Sequence, residues 1–327
     1  MKTKILYRLW AVLAITVVVY SCKKSDSNSD NGLSNTDLQT QSDDQTQVTS
    51  ENSAVLDDVT TVVTDKGGVT GASVPKAIRY GVTTETAPDT IPYSFCDGSV
   101  SVDTANGNRK ITITYNGSTC NPFHTRTGTV VISWPQGQQW RNPGSVLTIN
   151  IQNLKITRTR DGKSITLNGT HTYTNVTGGN IAELAYEPMD TIVHTITSSN
   201  MTVTFNNNTT RSWSVARQRM FTYSSGLVMQ ETGTHTDGST SGISEWGTNR
   251  WGNSFETVIT SPLTISQSCS FQLTSGQVKI IQPKVTTTTT FGLDASGNPT
   301  GCSDTGYYFK VVFTGVDGKS YTFILPY

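Results

Sequence analysis

The segments KITITY at residues 110–115, TVVISW at 129–134 and VLTINI at 146–151 decide the fold of this 327-residue chain. Apolar and polar residues alternate over most of each segment, which is the two-residue period of a strand with one buried face. Turn signals separate further segments of this kind, at Asp161-Gly162, Asp237-Gly238 and Asp317-Gly318. The pattern predicts an all-β protein, built as an antiparallel β-meander or sandwich.

Two further features bear on how the strands are arranged. The chain is rich in Thr, whose branched Cβ suits a pleated surface, and no helical segments alternate with the strands, which argues against a parallel α/β fold. Residues 67–200 and 201–327 share the order strand, Cys loop, Gly, strand, around Cys120 and Cys302. The body is therefore either two similar halves or a Thr- and Gly-rich protein in which this similarity arises by chance.

Residues 1–22 have the pattern of an export signal. Positive charges at the start precede an almost unbroken apolar run at 9–19, and the segment ends at Cys22. The run is too short to span a bilayer comfortably. The segment resembles bacterial lipoprotein signal peptides, which are cut before a Cys that then carries lipid; an ordinary secretory signal with an accidental Cys is the alternative. We expect lipid at Cys22 to hold the protein to a membrane of the cell envelope, as an outer-membrane lipoprotein that faces the surface or the periplasm.

Three segments follow the signal. Residues 23–50 consist mostly of Ser, Asp, Asn, Gln and Thr, which predicts a disordered tether. Residues 51–66 predict a short helix that the Gly pair at 67–68 ends, although β-branched residues lower its helix propensity. The apolar residues of that helix share one face: Val55, Val59, Val62 and Val63. Residues 67–327 form the all-β body.

Four cysteines remain once Cys22 is assigned to lipid: Cys96, Cys120, Cys269 and Cys302. An even number of cysteines in an exported protein predicts two disulfides. Three pairings are available, of which Cys96 with Cys120 and Cys269 with Cys302 join neighbours in similar local settings. A metal site of four thiolates is the alternative, and the absence of any Cys-x-x-Cys pair argues against it.

The charge balance of the chain indicates which classes of molecule the protein can bind. The chain has 24 basic and 24 acidic residues, a formal net charge of 0. The basic residues are dispersed along the sequence, whereas a protein that binds phosphate backbones shows a clustered basic face and a high pI. We therefore expect a membrane partner through the lipid, and a glycan or an envelope protein as a further partner, but no nucleic acid.

Several elements occur together in an order that resembles a group of secreted Bacteroidetes lipoproteins of unassigned function. They are residues 111–115, Cys120, 126–128 with the strand that follows, 141–145, 168–170, Cys269, 275–276 and 301–304. The resemblance covers roughly residues 50–327. It implies an all-β fold on the cell envelope, and it implies no reaction.

Tryptophans form two clusters among Gln, Asn, Arg and Glu residues. Trp134 and Trp140 lie in one cluster, and Trp246 and Trp251 lie in the other. An aromatic ring beside amides can bind a sugar by stacking on its apolar face while the amides bond its hydroxyls. The alternative is that these rings cap the ends of a β-core or pair across strands.

Catalytic motifs are absent from the sequence. The four histidines are far apart, and neither a His-Glu-x-x-His motif nor a Gly-x-Ser-x-Gly elbow occurs. We therefore expect no enzyme, no cofactor and no metal. A hydrolase whose carboxylates meet only in the fold is left open, with five candidates: Glu183, Glu187, Glu231, Glu245 and Glu256. The leading prediction is a lipid-anchored envelope protein with a non-catalytic binding or structural role, and the alternative is a surface glycan-binding module.

Overall fold

The computed structural model describes residues 35–66, 97–105, 109–118, 123–185, 191–303 and 306–326. This part of the chain contains one α-helix, α1, at Asn35–Asp65, and fifteen strands of one sheet. The first seven strands are β1 Gly98–Asp103, β2 Lys110–Asn116, β3 His124–Ser133, β4 Ser145–Arg158, β5 Ser164–Asn175, β6 Ile192–Phe205 and β7 Thr210–Tyr223. The other eight are β8 Leu227–Gly233, β9 His235–Asp237, β10 Thr240–Thr248, β11 Ser254–Ser266, β12 Gln272–Ile281, β13 Val285–Leu293, β14 Tyr308–Gly315 and β15 Ser320–Pro326.

The sheet is an antiparallel meander, so the predicted all-β fold is confirmed. Strands β1 to β7 pair in chain order, and so do β10 to β15. Strands β8 and β10 both lie between β7 and β11 and pair with each of them. β10 pairs with the first half of β7, and β8 pairs with its second half. The short strand β9 pairs with β10, and the turn between them contains the Asp237-Gly238 signal.

The main hydrophobic core lies between α1 and one face of the sheet. Six apolar side chains of α1 are 0–1% exposed: Val48, Val55, Leu56, Val59, Val62 and Val63. They form one cluster with inward-facing residues of the strands, among them Ile111, Ile113, Ile149, Ile151 and Leu167. Burying one such side chain stabilises the fold by about 1.5–3 kcal/mol. The helical face predicted from the Val spacing is therefore the face that packs on the sheet.

The helix is longer than the sequence predicts, because residues 35–50, expected to be a tether, form its first half. These residues offer little apolar surface, and they are held by polar contacts to arginines of the sheet instead. Asp43 accepts hydrogen bonds from Arg158 at 2.7 and 2.9 Å. Two more pairs hold this half of α1: Gln45 with Arg211 on β7, and Asp44 with Arg250 in the loop between β10 and β11. The predicted boundary at residue 51 is thus corrected to Asn35.

A buried ionic network continues along the second half of α1. Asp58 accepts hydrogen bonds from Arg126 at 2.7 Å and from the Tyr115 hydroxyl at 2.6 Å. The preceding residue, Asp57, pairs with Arg219 at 3.0 Å. α1 contains seven acidic residues and no basic one, and the sheet face beneath it supplies the arginines. Helix and sheet are therefore matched in charge as well as in apolar surface.

The second half of the sheet has a smaller core of its own. It is built from Leu273, Phe291, Phe309 and Val311. A disulfide joins Cys269 and Cys302, which is one of the pairings that the sequence leaves open, whereas Cys96 and Cys120 lie outside the described residues. The predicted division between residues 200 and 201 falls inside the continuous strand β6. It is therefore no boundary between two structural units.

Two buried histidines, His171 and His194, have a pKa lowered to about 3 and make stability depend on pH. His171 is 0% exposed, with its Nε2 2.9 Å from Oδ1 of Asn52 on α1. Burial lowers the pKa of His171 to about 3, and Arg217 and Arg219 act in the same direction. The unfolded chain takes up this proton near pH 6.5. His171 therefore contributes stability that is lost as the pH falls below about 6.5.

We expect the variant His171→Gln, which keeps a donor for Asn52, to be less sensitive to acid. Between about pH 6.5 and pH 5 it should lose roughly 2 kcal/mol less stability than the original chain, at about 1.4 kcal/mol per pH unit. Urea denaturation of both chains at several pH values measures this difference. Burial also raises the pKa of Asp44 to about 6, and this shift increases the stability as the pH falls. Because Asp44 is present in both chains, its effect cancels in the comparison. Parallel pH profiles would contradict the assignment.

Candidate functional site

A hollow of about 480 Å³ lies on the sheet face opposite α1, where β5, β6, β7 and β10 meet. The strand alternation identifies the face, because exposed Thr172 stands between His171 and Tyr173, which are buried beneath α1. Six hydroxyl or amide side chains line the hollow: Thr170, Thr172, Thr197, Ser198, Ser199 and Asn200. Trp246 supplies its aromatic wall.

Irregular strand pairing shapes this hollow. The register between β5 and β6 shifts between Asn168 and Thr172, and the register between β6 and β7 shifts between Ser198 and Met201. Such bulges bend strands locally and redirect side chains. Gly169 lies at the first shift with a φ of 140°, where an added Cβ would approach the Met201 sulfur to 2.5 Å. A side chain at this position would push β5 away from β6.

The ring of Trp246 is half-buried and held in one orientation. His235 on β9 stacks on it with ring centroids 3.8 Å apart and planes 13° from parallel. One ring face is therefore covered, and only the opposite face can receive another ring. Trp246 lies within β10, paired with Ser214 on β7 and Glu256 on β11. The sheet thus fixes the backbone of this residue, and the histidine fixes its side chain.

The remaining lining is uncharged and consists of hydroxyl and amide residues together with Gly169, Val215 and Ala216. Each Thr or Ser hydroxyl can donate one hydrogen bond and accept two, and the Asn200 amide can do both. The Ser198 hydroxyl is shielded from solvent and makes no hydrogen bond within the described residues, so it is not one of the groups that the hollow exposes. An aromatic ring beside several hydroxyl and amide groups can hold a ligand ring that has one apolar face and polar edges. A pyranose sugar has this chemistry.

The four predicted tryptophans have different environments. Trp134 and Trp140 are 7% and 5% exposed and belong to the main core, so their rings have no face open to a ligand and we leave them out of the site. Trp251 is 40% exposed in the loop between β10 and β11, and it does not line the hollow. Only Trp246 contributes to the hollow, and it does so from a strand rather than from a loop.

The candidate carboxylates are not assembled around this hollow. Glu231 and Glu245 are buried on the side of α1, where arginines hold both of them. Burial alone would raise the pKa of Glu231, but the guanidinium groups of Arg217 and Arg219 hold it below its usual value. Glu183 is buried elsewhere, and Glu187 lies outside the described residues. Of the five candidates, Glu256 is half-buried and pairs with Trp246.

In residues 35–66 and the described parts of 97–326, no three His, Cys, Asp or Glu side chains come together as metal ligands. No helix of the same residues is both long and apolar enough to cross a bilayer. Cys22, the predicted lipid site, lies outside the described residues.

The Trp246 hollow is the feature of this structure that bears most directly on function. Its polar lining was not predicted, because outward Thr and Ser residues are common in any solvated strand and only the bulges bring these together. Comparison with known proteins adds no assignment, since no protein-family model, no curated protein and no solved structure matches the chain.

Proposed function

We propose that this protein is a non-catalytic carbohydrate-binding component of the cell envelope, held to the outer membrane by lipid at Cys22. The observation that carries the proposal is the Trp246 ring, backed by His235 and facing a hollow lined with hydroxyl groups. The export signal and the resemblance to Bacteroidetes lipoproteins support the location.

The energetics of the hollow favour a sugar. Ring pairs of this kind contribute about 0.5–1.5 kcal/mol beyond the apolar area that they bury. Because His235 already holds the Trp246 side chain, a ligand does not have to restrict its rotation, which costs about 0.5–1.5 kcal/mol for a mobile side chain. The volume of about 480 Å³ lies within the roughly 300–1,000 Å³ of small-ligand pockets.

The arrangement of acids supports binding rather than hydrolysis. Glycoside hydrolysis needs two carboxylates on either side of the bond that is cut. Glu231 and Glu245 face α1 and are neutralised by arginines, and among the residues that the structure describes no Asp or Glu lines the hollow. The described groups around Trp246 can hold a sugar, and they offer no pair of acids to cleave it.

We expect the full chain to bind one or more neutral oligosaccharides on a glycan array, and Trp246→Ala to weaken that binding about tenfold or more, which corresponds to about 1.4 kcal/mol. Trp251→Ala is the matched control, because it removes an exposed tryptophan that does not line the hollow. Isothermal titration with the best array ligand measures the dissociation constants. If Trp246→Ala binds like the original chain, or if Trp251→Ala is the weaker variant, the proposed site is wrong.

A further inference from the structure

Strand β15 is an edge of the sheet, because it pairs with β14 and with no other strand of the described residues. Apolar side chains are exposed along it. Tyr321 is 62% exposed, Phe323 46% and Ile324 37%, and Val316 in the preceding turn is 82% exposed. Natural proteins usually protect such an edge with charges, because another strand can pair with it. The segment Ser320–Pro326 contains no charged residue.

The backbone groups on the outer side of β15 follow from its ladder with β14. Beside the turn that joins the two strands, the Gly315 N–H donates to the Lys319 carbonyl at 3.0 Å. Hydrogen-bonded pairs recur at every second residue of an antiparallel ladder, so residues 321, 323 and 325 bond to β14. The N–H groups of three residues therefore point away from the sheet: Ser320, Thr322 and Ile324.

We propose that β15 is an interaction edge that pairs with β15 of a second copy of this chain, antiparallel and centred on Phe323. The twofold axis of this dimer is perpendicular to the sheet, so each side chain keeps the face that it has in one copy. Residues opposite each other in a ladder share a face, and this requirement places the axis at a residue rather than between two residues. The edge is separate from the Trp246 hollow, which lies on β5, β6, β7 and β10.

The register centred on Phe323 gives every outward N–H group of the strand an acceptor. Thr322 faces Ile324 of the second copy, and each of these residues donates to the carbonyl of the other. Ser320 faces Pro326 of the second copy. The carbonyl of that proline can accept from Ser320, and its nitrogen carries no hydrogen that would need a partner. The strand therefore pairs with itself without leaving an N–H group unsatisfied.

The same register matches the apolar side chains. Phe323 meets Phe323 of the second copy, and Tyr321 meets Leu325 of the second copy. These three residues share the face of the smaller core, where the rings of Phe313 and Phe323 contact each other with centroids 6.2 Å apart. Pairing would continue this core across the dimer axis and cover aromatic rings that are exposed in a single copy.

The distribution of charge favours a second copy as the partner. The charged residues of the turn before β15, Asp317 and Lys319, pair with each other at 3.2 Å, and Lys310 lies one strand further from the axis. Two copies therefore meet without like charges opposite each other. The other edge strand, β1, ends in Asp103. A symmetric contact closes on itself, whereas pairing of β15 with β1 would build an open filament.

Sedimentation equilibrium of the full chain in detergent tests the pairing. One strand per copy makes a small interface, so we expect a monomer–dimer equilibrium with a dissociation constant in the micromolar range. Thr322→Pro removes an outward N–H and leaves the ladder with β14 intact, since proline is accepted where the N–H of an edge strand faces solvent. It should weaken the dimer at least about tenfold. Thr322→Ala keeps the N–H and should dimerise like the original chain.

A cysteine at the axis tests the register. In the proposed dimer the Cα atoms of the two Phe323 residues are about 4.5 Å apart, a separation that a disulfide can bridge. The full-chain variant Phe323→Cys should therefore form a covalent dimer under mild oxidation. Thr322→Cys should not, because the two Thr322 residues are displaced by about 7 Å along the strands. The original chain, with its own cysteines, is the control.

Four results would overturn the proposal. They are a full chain that stays monomeric well above micromolar concentration, a Thr322→Pro variant that dimerises like the original chain, covalent dimers from Thr322→Cys but not from Phe323→Cys, and open assemblies larger than a dimer. Thermal unfolding of Thr322→Pro close to that of the original chain shows that this variant is folded. The cysteine variants test the pairing without it.

Discussion

Replacing Arg217 with Met should destabilise the folded protein by about 3–5 kcal/mol, the range for removing one partner of a buried ion pair. Arg217 is 2% exposed and joins two buried acids, with Nη1 3.1 Å from Glu231 and Nη2 bonded to Glu245. Methionine fills much of the volume but leaves both carboxylates with one arginine fewer. The remaining partners, Arg219 and Arg211, cannot replace a group that bridges the two acids.

Urea denaturation of the two chains measures this difference. Arg160→Met is the matched control, because Arg160 is a half-exposed arginine paired with Asp43 at 3.2 Å. Exposed pairs contribute about 0–1 kcal/mol. A loss for Arg217→Met as small as that for Arg160→Met would show that the carboxylates find compensation when Arg217 is removed.

A chain that begins at residue 51 should be less stable than one that begins at residue 35 by at least about 3 kcal/mol. The missing segment contains Asp44, the partner of Arg250. Losing it leaves a largely buried guanidinium without that carboxylate, at a cost of about 3–5 kcal/mol. The segment also contains Val48, which is fully buried in the main core. Its removal opens a cavity as well as breaking an ion pair.

Thermal and urea unfolding of the two shortened chains measures the effect. The single variant Asp44→Ala should shift stability in the same direction without shortening the chain. If residues 35–50 were a tether, as their composition suggests, the two shortened chains would unfold at the same denaturant concentration. Equal midpoints would therefore contradict the helical first half of α1.

Much of the fold can be predicted from local pattern. Residues 110–115 fall within β2, 129–133 within β3 and 146–151 within β4, because alternation with a period of two is a property of neighbouring residues. The Val spacing of 51–66 predicts a helix for the same reason, with a period of 3.6 residues. The sequence predicts two disulfides without choosing among their three pairings, and the structure contains the bond between the neighbours Cys269 and Cys302.

The first half of α1 could not be predicted in this way. Between residues 35 and 50 the side chains are polar, and whether they become ordered depends on arginines more than a hundred residues away, such as Arg158 and Arg250. In the sequence these arginines look like ordinary charges on a solvated strand. In the folded protein, packing against α1 shields these guanidinium groups from water. The acids of α1 then neutralise their charge.

The same distinction between local sequence pattern and long-range contacts applies to the candidate site. The sequence by itself predicted the strands and the helical Val face, because these depend on residue type and local spacing, and it named Trp246 only as one of four candidate tryptophans. The tertiary structure alone decided that Trp134 and Trp140 are buried, that His235 stacks on Trp246, and that Glu256 lies opposite it. Strand register and bulges bring these residues together, and register is set by contacts across the whole sheet rather than by any local pattern.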